Sequence, residues 1–135
     1  VLKFVFFTRP DKAGWAAMDV TVAALRGAVG SAAAVLDCGV AQCEVLPRGV
    51  NKGAGAARLL ARLGVPPAAC LALGDAENDV EMLRLAGVGV AMGNAKPAAR
   101  ASADVVVGTN DEDGVAEAVR RYVLEPARRA AAARS

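Results

Sequence analysis

The spacing of apolar and polar positions changes character at Pro47. Before it the pattern is mixed. Residues 2–7 (LKFVFF) read as a strand, and Pro10, Asp11 and Gly14 read as a turn. Residues 15–26 place Trp15, Met18, Val22 and Leu25 at helical spacing, and Gly27 and Gly30 are expected to end that helix. Residues 33–37 and 41–46 read as two short strands around Gly39. The opening unit is therefore strand, helix, strand, strand.

After Pro47 and Gly49 the rhythm becomes regular. A helix is expected over residues 51–63 with Leu59, Leu60 and Leu63 facing inward; Gly64 closes it and Pro66-Pro67 forbid its continuation. Next come a strand at 70–73, a helix at 78–86 closed by Gly87, and a strand at 88–92. A short helix at 97–102, a strand at 104–107 and a helix at 114–124 complete the series. Strands alternating with helices of this length imply parallel βαβ units with right-handed crossovers. The predicted class is α/β. In such sheets ligands bind at the carboxyl ends of the strands.

Leu71-Ala72-Leu73-Gly74-Asp75-Ala76-Glu77-Asn78-Asp79 is where that geometry meets chemistry. An apolar run stops at a glycine, and two aspartates and a carboxamide follow. Two readings stand side by side. Asn78 could cap a helix, with Glu81 at its third position and acidic groups favoured by the helix dipole. Alternatively the acidic groups hold a hard divalent cation, which prefers oxygen ligands, or face a phosphate. Capping leaves Asp75, directly after the strand, unexplained.

Lys52 near a helix start opposes the helix dipole. It reads as a solvated charge or as a group that meets a phosphate oxygen, with Gly49, Gly53 and Gly55 letting an anion approach the backbone. The P-loop pattern is absent. Gly87, Gly89 and Gly93 lack dinucleotide-binding spacing, and tight turns and close packing are their expected use. Asp111-Glu112-Asp113-Gly114 looks like a two-aspartate nucleophile motif. Gly108, Thr109 and Asn110 separate it from the strand before it, so helix capping by Asp111 or Asp113 is expected.

Composition narrows the class. The chain has 135 residues, enough for one domain or for one domain plus part of another. Its hydrophobic fraction is 55% but aromatics are only 4%, so the core is expected to be small and aliphatic. The net charge of +2 comes entirely from the Ala/Arg segment 125–135. No basic field for nucleic acid or an anionic membrane is left elsewhere, and the segment is expected to fray or to extend the last helix. There is no histidine, which removes Ser-His and Cys-His nucleophile systems. Cys38, Cys43 and Cys70 have no metal-binding spacing and read as reduced thiols, Cys70 in the core. A soluble reducing compartment such as the cytoplasm is the expected location, with no membrane partner.

Lys52, Gly74-Asp75-Ala76-Glu77-Asn78-Asp79, Val90-Ala91-Met92-Gly93-Asn94-Ala95 and Asn110-Asp111-Glu112-Asp113-Gly114-Val115-Ala116 occur in one order and spacing. Together they resemble the C-terminal half of a Cof-type hydrolase of the haloacid dehalogenase superfamily. The resemblance is strong from Glu44 to Val119 and weaker over residues 1–43.

It implies a partial Rossmann-like core over residues 48–124, the end of an α/β cap domain over residues 1–47, and a tail over 125–135. It also implies Mg²⁺-dependent hydrolysis of a small phosphorylated metabolite, such as a sugar phosphate, through an aspartyl-phosphate. By matching, Lys52 would neutralise the phosphoryl group, Asp75 would bind Mg²⁺ and Asn78 would hold a phosphate oxygen or orient the site. Asp79 would fix Lys52 or a metal-bound water. The family's N-terminal nucleophile motif and its Ser/Thr motif are both missing, and Thr8 is not placed like the latter. The resemblance therefore implies a piece of a longer enzyme, with a non-catalytic Mg²⁺- or phosphate-binding module as the alternative.

Overall fold

The structure is a computed structural model that describes residues 3–7, 11–39 and 41–133, apart from the side chains of residues 12, 14, 15 and 39. Leu2, Thr8, Pro10 and the Trp15 side chain, all named above, lie outside what is described. Two three-stranded sheets organise the chain.

The first is antiparallel. β1 (Phe4–Phe7), β2 (Ala33–Gly39) and β3 (Gln42–Pro47) lie in the order β1-β3-β2, and α1 (Lys12–Val29) connects β1 to β2. Met18 and Val22 of α1 are buried against Val35 and Cys43, with Leu25, Val29 and Val45 around them. This is the 3.6-residue stripe expected of that helix, set on the inward face of a pleated sheet. The helix is longer than expected at both ends. It opens at Lys12, so Gly14 lies inside it rather than in a turn, and Gly27 is internal. Gly30, with φ +50°, follows the helix end.

The second sheet is parallel. β4 (Leu71–Gly74), β5 (Val88–Ala91) and β6 (Val105–Val106) lie in sequence order. α2 (Lys52–Leu63) precedes β4. α3 (Val80–Leu85) joins β4 to β5, and α4 (Pro97–Arg100) joins β5 to β6. The core is small and aliphatic, as the composition predicts. Leu83, Val90, Ala91, Ala99 and Ala118 are almost fully buried at its centre. Cys70 is half-buried and lies outside that cluster, which corrects the expectation for it. Among the described residues no helix is long and apolar enough to cross a membrane.

The inward face of α2 is the main correction to the sequence reading. Leu59 and Leu63 are 58% and 64% exposed, and Leu60 is half-buried. The buried residue of α2 is Gly53, and a Cβ built there would lie 2.7 Å from the backbone carbonyl carbon of Glu81. The helix turns a glycine/alanine stripe towards α3, because only small residues allow so close an approach. Leu59 and Leu63 lie about 120° and about 80° around the helix from Gly53, at about 100° per residue, and point outward, whereas Leu60, about 20° away, stays on the packed side. Gly53→Ala is expected to cost about 1–3 kcal/mol by overpacking. A chemical-denaturation midpoint should fall with unchanged slope.

The other glycines follow the same logic. A Cβ at Gly87 would lie 2.1 Å from the Ala68 carbonyl oxygen, and one at Gly89 would lie 2.4 Å from that of Leu83. At the far end, α5 (Gly114–Val119) continues through a π-helical turn, Arg120–Leu124, into α6 (Glu125–Ala132). Pro126 lacks an N–H and its ring crowds the preceding turn, so the widened turn relieves the clash without ending the helix. The Ala/Arg segment thus extends the last helix.

Neither Asp111 nor Asp113 caps by its side chain. Glu112 accepts hydrogen bonds from the Thr109 N–H and hydroxyl, both at 2.9 Å, while Asp113 sits at φ +57° without a side-chain capping bond. Asp111 accepts from the Asn110 amide at 2.9 Å.

Candidate active site

β4 ends at Gly74, and the chain turns at once. Asp79 causes the turn. Its Oδ2 accepts from the backbone N–H groups of Asp75 at 3.0 Å and Ala76 at 3.1 Å, closing a loop over residues 75–79. A side chain at Gly74 would have no room, because its Cβ would fall 2.4 Å from that of Asp79. Asn78 is therefore not the helix cap that local sequence suggests. The carboxylate one residue later satisfies the backbone donors.

The other oxygen of Asp79 meets Lys52, with Oδ1 2.5 Å from Nζ. Asp79 is buried, at 3% exposure, and Lys52 is half exposed. Burial alone would push the Asp79 carboxyl upward. The Lys52 bond and the two N–H donors outweigh it and hold the group below the usual carboxylate range. Lys52 is fixed at its root as well. It is the first residue of α2, and Asn51 caps that helix by accepting from the Ala54 N–H at 2.7 Å. A lysine at a helix start is electrostatically awkward, and a buried aspartate 27 residues away is what holds it there.

Asp75 is exposed at the carboxyl end of β4. Its backbone oxygen accepts from Lys96 N–H at 2.8 Å, and its carboxylate meets no partner among the described residues. Lys52, Asp75, Asp79 and Asn110 line an open cleft of about 520 Å³, with Met82 and Met92 among its walls. Asn78 lines a second cleft, which also includes Lys52. Its amide donates weakly to Cys38 Sγ at 3.9 Å, and its Oδ1 is buried without a partner. The Cys38 thiol is pushed up to about 11, by burial first and by nearby Glu44 second, so it stays protonated near neutrality.

The antiparallel sheet faces this end of the parallel one. Lys96 pairs with Asp37 of β2 at 3.3 Å, and Arg26 of α1 approaches Glu77 at 3.9 Å. Both pairs are partly exposed, so each contributes at most about 1 kcal/mol and serves orientation more than stability. The four residues singled out in sequence, Lys52, Asp75, Asn78 and Asp79, all lie at this end. Asp111 and Asp113 do not join them in the cleft.

Such an arrangement can bind an anion between a fixed ammonium group and an acidic group able to carry a cation. The donor set is incomplete, since among the described residues no three His, Cys, Asp or Glu side chains converge to hold a metal. One free carboxylate does fit Mg²⁺, which commonly takes one or two carboxylates together with waters and substrate phosphate oxygens.

Comparison with known proteins adds independent findings. The model of the haloacid dehalogenase-like hydrolases matches residues 2–119. The chloroplastic endoribonuclease YBEY of Arabidopsis thaliana is 46% identical over 97 residues, 72% of this chain but 17% of that protein. A 5-amino-6-(5-phospho-D-ribitylamino)uracil phosphatase of Bacillus subtilis is 46% identical over 81 residues, 60% of this chain and 32% of its own length. Among solved structures, a sugar phosphatase of the superfamily's subclass IIB superposes with a TM-score of 0.74 at 27% identity, covering 90% of this chain and 43% of that one. The chain thus spans less than half the length of each.

Proposed function

The chain belongs to the haloacid dehalogenase-like hydrolases, and on that premise we propose that it is the phosphate-facing part of a Mg²⁺-dependent phosphatase of small phosphate monoesters, such as sugar phosphates. The observation that carries the reading is Lys52, locked by buried Asp79 at the carboxyl end of a parallel sheet beside the unpartnered Asp75 carboxylate. The phosphatase and sugar-phosphatase names of the relatives support it.

In this reading Lys52 neutralises charge on the transferring phosphoryl group. Asp79 keeps the ammonium in place, and Asn78 orients a phosphate oxygen. Asp75 would hold Mg²⁺, which when bound supplies charge neutralisation at the phosphate. Positioning and charge neutralisation are most of what phosphoryl transfer needs from a protein. The nucleophile is an aspartate outside these 135 residues. Its carboxylate oxygen attacks phosphorus and the ester P–O bond breaks, the electron pair going to the alcohol oxygen, which takes a proton from solvent water. Water then cleaves the aspartyl-phosphate to release inorganic phosphate and regenerate the carboxylate. No Asp-x-Asp within the chain follows a sheet strand directly, since Asp111 lies beyond Gly108, Thr109 and Asn110.

The test is phosphate release from an aryl phosphate, with Mg²⁺ and with a chelator. Residues 1–135 alone should release none. The longer polypeptide that joins these residues to their in-frame upstream sequence should release it only with Mg²⁺, and Asp111→Asn should leave the rate within a factor of about two, as for surface changes. Turnover by residues 1–135 alone, abolished by Asp111→Asn, would overturn this assignment. An inactive longer polypeptide that still binds phosphate would favour the non-catalytic module.

A further inference from the structure

The turn that carries Asp75 is braced from the antiparallel sheet, and the brace is built around one lysine. Lys96 stands before Pro97 with an extended backbone, φ −62° and ψ 152°, the conformation that a following proline favours. Buried Ala95 anchors it on the other side. Its N–H donates to the Asp75 carbonyl oxygen at 2.8 Å, and its ammonium group reaches Asp37 Oδ1 of β2 at 3.3 Å. One residue therefore bonds both to the backbone of Asp75 and to the other sheet.

The antiparallel sheet meets the same turn at two further points. The pairing of β2 with β3 shifts register between Asp37 and Gly39, and such an irregularity re-aims the side chains around it. Cys38, inside the shifted stretch, accepts weakly from the Asn78 amide at 3.9 Å. Arg26 donates to the Val35 carbonyl oxygen of β2 at 3.3 Å and approaches Glu77 at 3.9 Å. Glu44 of β3 is a buried carboxylate on the neighbouring strand, but it pairs with Lys3 at 2.6 Å. Asp37 is the carboxylate that crosses to the parallel sheet.

We infer that Asp37 is a positioning residue for Asp75, acting through Lys96 to hold the Asp75 carboxylate where it meets Mg²⁺. The inference rests on the phosphatase reading, which assigns Asp75 to the metal. Backbone contacts set the direction of that carboxylate: Asp79 holds the Asp75 N–H and Lys96 holds its carbonyl oxygen. The second contact stays aimed only while Lys96 stays in place, and Asp37 grips its free end. A ligand group set in its binding direction beforehand loses less freedom when the cation arrives. Both side chains of the pair are about a third exposed, so the effect on metal affinity is modest.

The test measures Mg²⁺ binding to the longer polypeptide by isothermal titration calorimetry, beside phosphate release from an aryl phosphate. Asp37→Asn, nearly isosteric, should weaken Mg²⁺ binding about three- to fivefold, and Lys96→Met should match it. The double variant should be no weaker than either single one, because both changes act through one contact. At saturating Mg²⁺, KM for the ester should stay within about twofold, as for surface changes. Unchanged Mg²⁺ affinity in both single variants would overturn this inference and leave the phosphatase reading standing. So would losses that multiply in the double variant, which would mark two separate structural effects. Mg²⁺ binding without turnover of any ester by the unmodified polypeptide would overturn the phosphatase reading alone. No Mg²⁺ binding by it would overturn both.

Discussion

Replacing Lys52 by alanine in the longer polypeptide should lower kcat for phosphate release by about 10²- to 10³-fold, with a smaller change in KM. The ammonium group stands at the carboxyl end of the sheet, fixed by a 2.5 Å contact to Asp79 and by the Asn51-capped start of α2. A preplaced charge needs no reorganisation as negative charge shifts onto the leaving oxygen, and that is the part of the barrier it removes. Steady-state kinetics on an aryl phosphate measures the effect, and a denaturation curve of the same variant separates it from misfolding. A fall in kcat of less than tenfold in a folded variant would remove Lys52 from the reaction.

Asp79→Ala should be the most damaging single change to the fold of the site. It deletes the acceptor of two backbone N–H groups and strands the Lys52 ammonium. Unmet buried donors cost about 1–3 kcal/mol each, and the half-exposed lysine adds little after solvent screening, so a total loss of about 2–6 kcal/mol is expected from the two donors. The loss should depend on pH. Because the folded state holds the Asp79 carboxyl below its ordinary value of 3.8, its contribution is fully present above that value. It disappears as pH falls through the lower folded value. Urea denaturation of both proteins should therefore show a gap at pH 7 that closes under more acidic conditions than pH 3.8. A gap that is constant with pH would show that Asp79 acts by packing and not by charge.

The second half of the chain was legible because its signals are local. The apolar runs at 71–74 and 88–91 contain glycines that close contacts require, with the Asp79 side chain at Gly74 and the Leu83 backbone at Gly89, and the parallel pairing follows from strands separated by helices. Asp75 could be singled out for the same reason, as an acidic residue directly after a buried strand has no local explanation. Leu59 and Leu63 misled because hydrophobicity alone assigns a helix face. The closeness of α2 to α3 reversed it by demanding Gly53 at the contact. Asn78 misled because Asn is a good cap in isolation, yet Asp79 reaches both free N–H groups of the turn. Glu44 was overlooked, although its signal was present as a charged residue at an apolar position of an alternating strand.

The sequence by itself determined the order of the elements, the parallel βαβ series, the small aliphatic core and the carboxylate at the end of β4. Each depends on periodicity or on a neighbour a few residues away. Only the tertiary structure decided which carboxylate holds Lys52, since Asp79 lies 27 residues along the chain. It also decided that Asp75 stays free, and that Glu44 of the antiparallel sheet and Asn78 of the turn after β4 border one cleft. Those pairings depend on how the two sheets face each other, and no local pattern of side chains encodes a distance across that gap.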